Sequence, residues 1–311
     1  MHDHLENKWF CIANPVAGRG KALRARKRIE KALRAAGLPF EWHTTQAPGH
    51  AISLVSQAIS VGYRRFIAIG GDGTGHEVIN GMMSQSDLPA SELYFSLLPI
   101  GTGNDWQRCY SLPRRLNIWV KRLRHGQARW QDIGRIHYWH NGQLQMRYFF
   151  NVVGLAYGGY VGKVAASRRW TSFNKAMYLW LVLRCLFEYT LPEAQITFGK
   201  NQVQGKVYTI HVGICPWSGG GIRMVPQAQP NNGLLALTWV GAVSRWEVLR
   251  AIPLLYNGKI GTHPAVQTTQ VQSVHIEPMN QSLIDVEADG EYLGKAPAYI
   301  DIIPRALQLW I

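Results

Sequence analysis

Residues Arg65-Phe66-Ile67-Ala68-Ile69 are an apolar run, and Gly70-Gly71-Asp72-Gly73-Thr74 follow it directly, leading into a helix-like stretch from Gly75 to Met83. A buried strand, clustered glycines and a helix start, in that order, form a place where polyphosphate can rest. Glycine lets the backbone turn with positive φ and lets N–H groups approach an anion with no Cβ in the way. The helix N-terminus adds about half a positive charge aimed at the same spot. Asp72 needs a reason to stand there, because a carboxylate beside phosphates is repulsive unless a cation lies between them. Magnesium, held by one or two carboxylates and by substrate phosphates, supplies that reason.

Working outward, strand and helix alternate over the first 130 residues or so. Trp9 to Ala13 reads as a strand ending in the turn Asn14-Pro15-Val16-Ala17-Gly18-Arg19-Gly20. A basic helix follows, with Ala22, Ala25, Ile29, Leu33 and Ala36 as an apolar stripe opposite Arg24, Lys27, Arg28, Lys31 and Arg34. Pro39–Thr45 and Tyr94–Ile100 read as further strands, Ala51–Val61 as a helix, and Gly101-Thr102-Gly103-Asn104-Asp105 as a third Gly-rich turn. Strands leading through such turns into helices imply a parallel sheet with ligand at the C-terminal strand ends. After Asp132 the pattern becomes short β-rich runs (146–153, 195–198, 207–214, 234–240, 271–277, 283–288 and 298–303) with helical insertions at 173–189 and 244–256. That pattern reads as an antiparallel sandwich. The expected division is 1–132, with 304–311 returning to it, and 133–303.

With 311 residues, 47% apolar and 17% charged, the chain is an ordinary globular protein long enough for two domains. No run approaches the ~18 apolar residues of a spanning helix. Cys11, Cys109, Cys185 and Cys215 are scattered without metal or CxxC spacing, which suits a reducing compartment and a cytoplasmic protein. A formal charge of +14 calls for an anionic partner. No RRM, KH, zinc-finger or basic-zipper pattern is present, which argues against nucleic acid and leaves nucleotide and an anionic membrane surface. Neither a Gly-x4-Gly-Lys-Ser/Thr loop nor the protein-kinase motif set occurs, and the glycines at 70–75 lack the dinucleotide spacing.

Four motifs, Asn14-Pro-Val-Ala-Gly18-Arg-Gly20, Gly70-Gly-Asp-Gly-Thr74 with Glu77-Val-Ile-Asn-Gly81, Pro99-Ile-Gly-Thr-Gly-Asn-Asp105 and Asp289-Gly290-Glu291, together resemble the diacylglycerol kinase catalytic family in its YegS-like bacterial branch. That branch is kin to sphingosine kinases and, more distantly, to NAD kinases and phosphofructokinases. The resemblance implies an α/β Rossmann-like N-terminal domain followed by a β-sandwich domain. It implies transfer of the γ-phosphate of ATP to a lipid hydroxyl, with diacylglycerol giving phosphatidic acid as first choice. It leaves a homodimer open.

Carried over by position, Asn14, Pro15, Val16, Ala17, Gly18, Thr45, Gly71, Asp72, Gly73, Thr74, Gly75, His76, Glu77 and Thr102 would contact ATP. Asp72 and Asp105 would serve the catalytic Mg²⁺, and Glu291 would be the base for the acceptor hydroxyl. An aliphatic hydroxyl hardly ionises at neutral pH, so a carboxylate within reach of its proton is what the chemistry asks for. Two positions depart from the family pattern. Gly75-His76-Glu77 stands where Leu/Ile-Asn-Glu is usual. Asn232, with Leu234 at a structural Mg²⁺ site, replaces an Asp, and a neutral amide binds Mg²⁺ less well than a carboxylate. The rival readings are a kinase for a sphingoid base or ceramide, an NAD kinase-like enzyme for a soluble substrate, and a degenerate nucleotide sensor.

Overall fold

Parallel pairing of four short strands organises the first part of the molecule. The computed structural model describes residues 3–167 and 175–311. They divide into two units, one ending at Gln131 and taking back Arg305–Ile311, the other running Asp132–Pro304. In the first unit a short α1 (Asp3–Glu6) precedes β1 (Trp9–Ala13), α2 (Ala17–Ala35), β2 (Phe40–Thr44), α3 (His50–Ser60), β3 (Arg65–Gly70), α4 (Asp72–Ser84), β4 (Tyr94–Pro99), α5 (Asp105–Cys109) and α6 (Leu116–His125). The strand order is β2-β1-β3-β4, all parallel, and Gln308 and Leu309 from the chain end add beside Tyr94 and Phe95 in the same sense.

Trp9, Cys11, Ala13, Ile67 and Ile69 share one sheet face and pack with Ala22, Ile29 and Leu33 of α2 and Trp119, Val120 and Leu123 of α6. Each such side chain contributes about 1.5–3 kcal/mol on burial, which is why the stripe of the basic helix turns inward. Arg24, Lys27, Arg28, Lys31 and Arg34 remain exposed. Helix α2 becomes regular only after three left-handed residues, Gly18, Arg19 and Gly20 (φ 57, 61 and 76).

The second unit is antiparallel. It takes in most of β5 (Ala128–His140), then β6 (Gln143–Phe149), β7 (Val152–Ala156), α7 (Tyr157–Ser167), α8 (Lys175–Glu188), β8 (Glu193–Phe198), β9 (Asn201–Gly213), β10 (Leu235–Gly241), α9 (Arg245–Asn257), β11 (Val266–Val271), β12 (Ser273–Met279), β13 (Asp285–Ala288) and most of β14 (Glu291–Trp310). Strands run in the order β11-β10-β9-β7-β13-β14, and β8 and β12 bridge back from β14 to β9. Two long strands make this closure. β9 pairs with β8 over 201–206 and with β7 over 209–213, while β14 pairs with β13 and then with β12. Val153, Leu155, Ile196, Ile210, Val212, Ile276, Val286 and Ile300 fill the enclosed core.

Some expected elements differ in extent. The run 146–153 is two strands, broken at Phe150 and Asn151, and 271–277 is divided at Gln272. The run 298–303 is the middle of β14, and β5, α6 and α7 are additional. The expected helix from Phe173 is described from Lys175 onward, so Phe173 and Asn174 lie outside the described residues.

Candidate active site

The Gly-rich turns follow the C-terminal ends of β1, β3 and β4, which are adjacent strands, so the sheet itself brings them together. Asn14 N–H bonds to Ile69 O (3.1 Å), and Ile100 and Gly101 N–H both bond to Gly70 O (2.7 and 3.0 Å). Glycine is required where the turns touch. A Cβ on Gly101 would lie 2.4 Å from Gly71 Cα, and one on Gly18 would lie 2.2 Å from Ile100 O. Asn14 Oδ1 accepts Val16 N–H (3.1 Å), fixing the turn that leads into the left-handed residues 18–20.

Asp72 opens α4. Its carboxylate reaches across to the start of α5 and accepts the N–H groups of Asp105 (3.0 Å) and Trp106 (3.2 Å). Asp105 in turn accepts from Arg108 (2.5 Å), whose guanidinium also donates to Gly103 O and Asn104 O (2.7 and 3.3 Å). Both carboxylates border the empty side-chain position of Gly103, where a Cβ would be 3.1 Å from Asp72 Oδ2 and 3.6 Å from Asp105 Oδ2. Two carboxylates brought beside one glycine are the kind of hard oxygen ligand Mg²⁺ takes from protein, with phosphates completing its shell. Asn104 stands beside them in the left-handed region (φ 51), its Oδ1 buried with no bonded partner among the described residues. The residues present therefore fit a magnesium polyphosphate.

Thr45 N–H bonds to Ala13 O (3.0 Å), at the same strand ends. Thr74 is buried against Gly70, and Thr102 is exposed. His76 is 4% exposed. Glu77 has a protein partner, because its Oε2 accepts Ala51 N–H (3.2 Å) at the start of α3.

In the second unit, Asp289 and Gly290 are the two-residue connection between β13 and β14, both at positive φ (52 and 89). That is the conformation of a type I′ hairpin turn, for which Asp-Gly is suited. Asp289 is buried and its carboxylate accepts three backbone N–H groups, those of Phe150 (3.1 Å), Asn151 (3.0 Å) and Val152 (3.1 Å). It anchors the turn, and Glu291 beyond it is exposed. Asn232 Oδ1 accepts Leu234 N–H (3.1 Å), and buried Asp132 accepts Gly233 N–H (2.7 Å). Asp132 was not a sequence candidate. Nothing near it in the chain signals a partner so far away.

A model of the diacylglycerol kinase catalytic domain matches residues 8–136, and a model described as the YegS C-terminal NAD kinase beta sandwich-like domain matches residues 151–311, more than half of the chain. The chain belongs to the YegS-like diacylglycerol kinase family. This family member is 29% identical to YtlR of Bacillus subtilis, over 97% of this chain and 98% of that protein. It is 25% identical to a diacylglycerol kinase of Mycobacterium tuberculosis, over 99% and 96% of the two chains. A solved structure from Bacillus anthracis superposes with a TM-score of 0.76 over 98% of this chain and 96% of that one; at 21% identity it shows the shared fold. The two domains are thus a lipid-kinase catalytic domain and a β-sandwich-like domain, and no described helix is long and apolar enough to cross a membrane.

Proposed function

We propose that this lipid kinase transfers the γ-phosphoryl group of ATP to the hydroxyl of diacylglycerol, giving phosphatidic acid and ADP. The observation that carries the reading is the meeting of Asp72 and Asp105 beside Gly103, at the start of α4, where three Gly-rich turns converge. In the Rossmann-like first domain (1–132 with 304–311), the first-turn N–H groups of α4 have no intrahelical acceptor and receive phosphate oxygens. The turn from Asn14 to Gly18, together with Thr45, His76, Glu77 and Thr102, bounds the nucleotide. Magnesium, when bound, neutralises polyphosphate charge there; Asp72 and Asp105 would hold it. The Asn232–Leu234 turn is closed by protein hydrogen bonds, and the proposed reaction uses no metal there.

Glu291 of the second domain (133–303) takes the hydroxyl proton as the lipid oxygen bonds to phosphorus and ADP leaves. The β13–β14 turn, clamped by Asp289, fixes where that carboxylate starts. Basic residues, each worth about 1 kcal/mol near anionic lipid, bring the enzyme to the membrane as a peripheral cytoplasmic protein. Glu291→Ala tests the assignment. Turnover should fall about 10²- to 10⁴-fold while ATP affinity stays within twofold. An undiminished rate removes Glu291 from the role of base.

A further inference from the structure

Glu287 lies on β13, two residues before Asp289, and its side chain occupies a slot that only glycines leave open. A Cβ on Gly154 of β7 would be 2.4 Å from Glu287 Oε1, and one on Gly162 of α7 would be 3.0 Å from Glu287 Cβ. From this slot Oε2 accepts the N–H of Gly290 at 2.9 Å. Gly290 is the residue between the Asp289 anchor and Glu291. The hairpin is therefore held twice, through Asp289 on one side and through Gly290 on the other.

The acids of this corner are satisfied in different ways. Asp285 faces Lys163 of α7 (3.2 Å) and the Tyr292 hydroxyl of β14 (3.1 Å), and Lys295 stands opposite it in the strand register. Asp289 has its three N–H donors. Tyr160 of α7 adds a phenol, and β7 contributes no titratable group. No ion pair among the described residues includes Glu287. Burial first, and then the charges of Asp289 and Glu291, push its carboxyl up to about 8 against the pull of the Gly290 and Gly154 N–H groups.

We propose that Glu287 is a positioning residue for phosphoryl transfer, a half-buried carboxyl that holds Gly290 N–H and so sets the direction in which Glu291 points. The inference rests on the reading of Glu291 as proton acceptor. Glycine at 154 and 162 is then the accommodation β7 and α7 make for this side chain.

The test uses the full chain with kcat and KM measured from pH 6 to 9.5, and ¹⁵N-glycine labelling to follow the Gly290 amide. Glu287→Ala should lower kcat about tenfold, the scale of one lost hydrogen bond in positioning, with KM for ATP within twofold. Glu287→Gln keeps an oxygen for Gly290 and should recover most of that loss. It should also flatten any change of kcat with pH that titration of Glu287 near pH 8 gives the wild type. The Gly290 resonance should titrate near pH 8 in the wild type and stay still in Glu287→Gln. Wild-type kcat in Glu287→Ala, or a Gly290 resonance that does not move between pH 7 and 9, overturns the inference. Glu291→Ala run alongside separates the two ideas. An inactive Glu291→Ala with a fully active Glu287→Ala refutes Glu287 alone. A fully active Glu291→Ala refutes the base, and with it the positioning role.

Discussion

Asp289→Asn isolates the clamp on the β13–β14 turn. Asparagine tolerates the left-handed conformation at φ 52 as well as aspartate does, so the backbone is undisturbed. Its carbonyl oxygen can still take the N–H groups of Asn151 and Val152, which both bond to Oδ1 in the native protein. Its amide nitrogen then faces the N–H of Phe150, which has bonded to Oδ2. A stranded buried N–H costs about 1–3 kcal/mol, and the two remaining bonds lose charge assistance at about 1 kcal/mol each, giving about 3–5 kcal/mol in all. In a domain of this size that lowers Tm by about 10 °C, which a thermal melt followed by circular dichroism resolves. Glu291→Gln, on an exposed side chain, serves as the control and should move Tm by less than about 2 °C. An Asp289→Asn protein that melts with the wild type yet has lost turnover would rule out the anchoring role, because Asp289 would then be a chemical participant.

Gly101→Ala should weaken ATP binding at least tenfold, since its Cβ would lie 2.4 Å from Gly71 Cα and 2.8 Å from Asn104 Oδ1; calorimetric titration showing native affinity would contradict the packing described. Stability should also carry a pH signature of Glu287. Its carboxyl, near 4.5 in the unfolded chain, is raised to about 8 in the fold, so its contribution is full below pH 4.5 and is lost as pH rises through 8. The loss approaches about 1.4 kcal/mol per pH unit across that window, and urea titrations at pH 5 to 8.5 should show it disappearing in Glu287→Gln; identical slopes for the two proteins would sink it.

The parts of the fold that were legible are those whose signal is local. Gly70-Gly71-Asp72-Gly73-Thr74 announces its turn because glycines, an apolar run and a helix start are consecutive in the chain. The stripe of α2 is read from spacing alone, and burial of Ala22, Ile29 and Leu33 follows it. What was hidden depends on distant partners. Nothing in Met146–Val153 shows a break at Phe150 and Asn151; Asp289, far along the chain, makes it by taking their N–H groups. Helix α7 carries Gly158 and Gly159 in its first turn, which lower helix propensity, and close packing demands glycine there, a Cβ on Gly159 falling 1.9 Å from Asp285 O. Helix α6 did carry a signal, since Leu116, Trp119, Val120 and Leu123 stand at helical spacing. Glu287 carried none, because an acid on a short strand looks like any solvent-facing alternation until the strand is placed against β7 and α7.

Phosphoryl transfer to a lipid at the proposed Asp72–Asp105 site is tested most directly by following labelled γ-phosphate from ATP into a panel of lipids in anionic mixed micelles, with Mg²⁺ varied and Asp72→Ala assayed beside the wild type. The expected result is labelled phosphatidic acid from diacylglycerol, dependent on Mg²⁺ and absent from the variant. Label on a soluble acceptor such as NAD with none on any lipid, or no transfer at all despite measurable ATP binding, would contradict it.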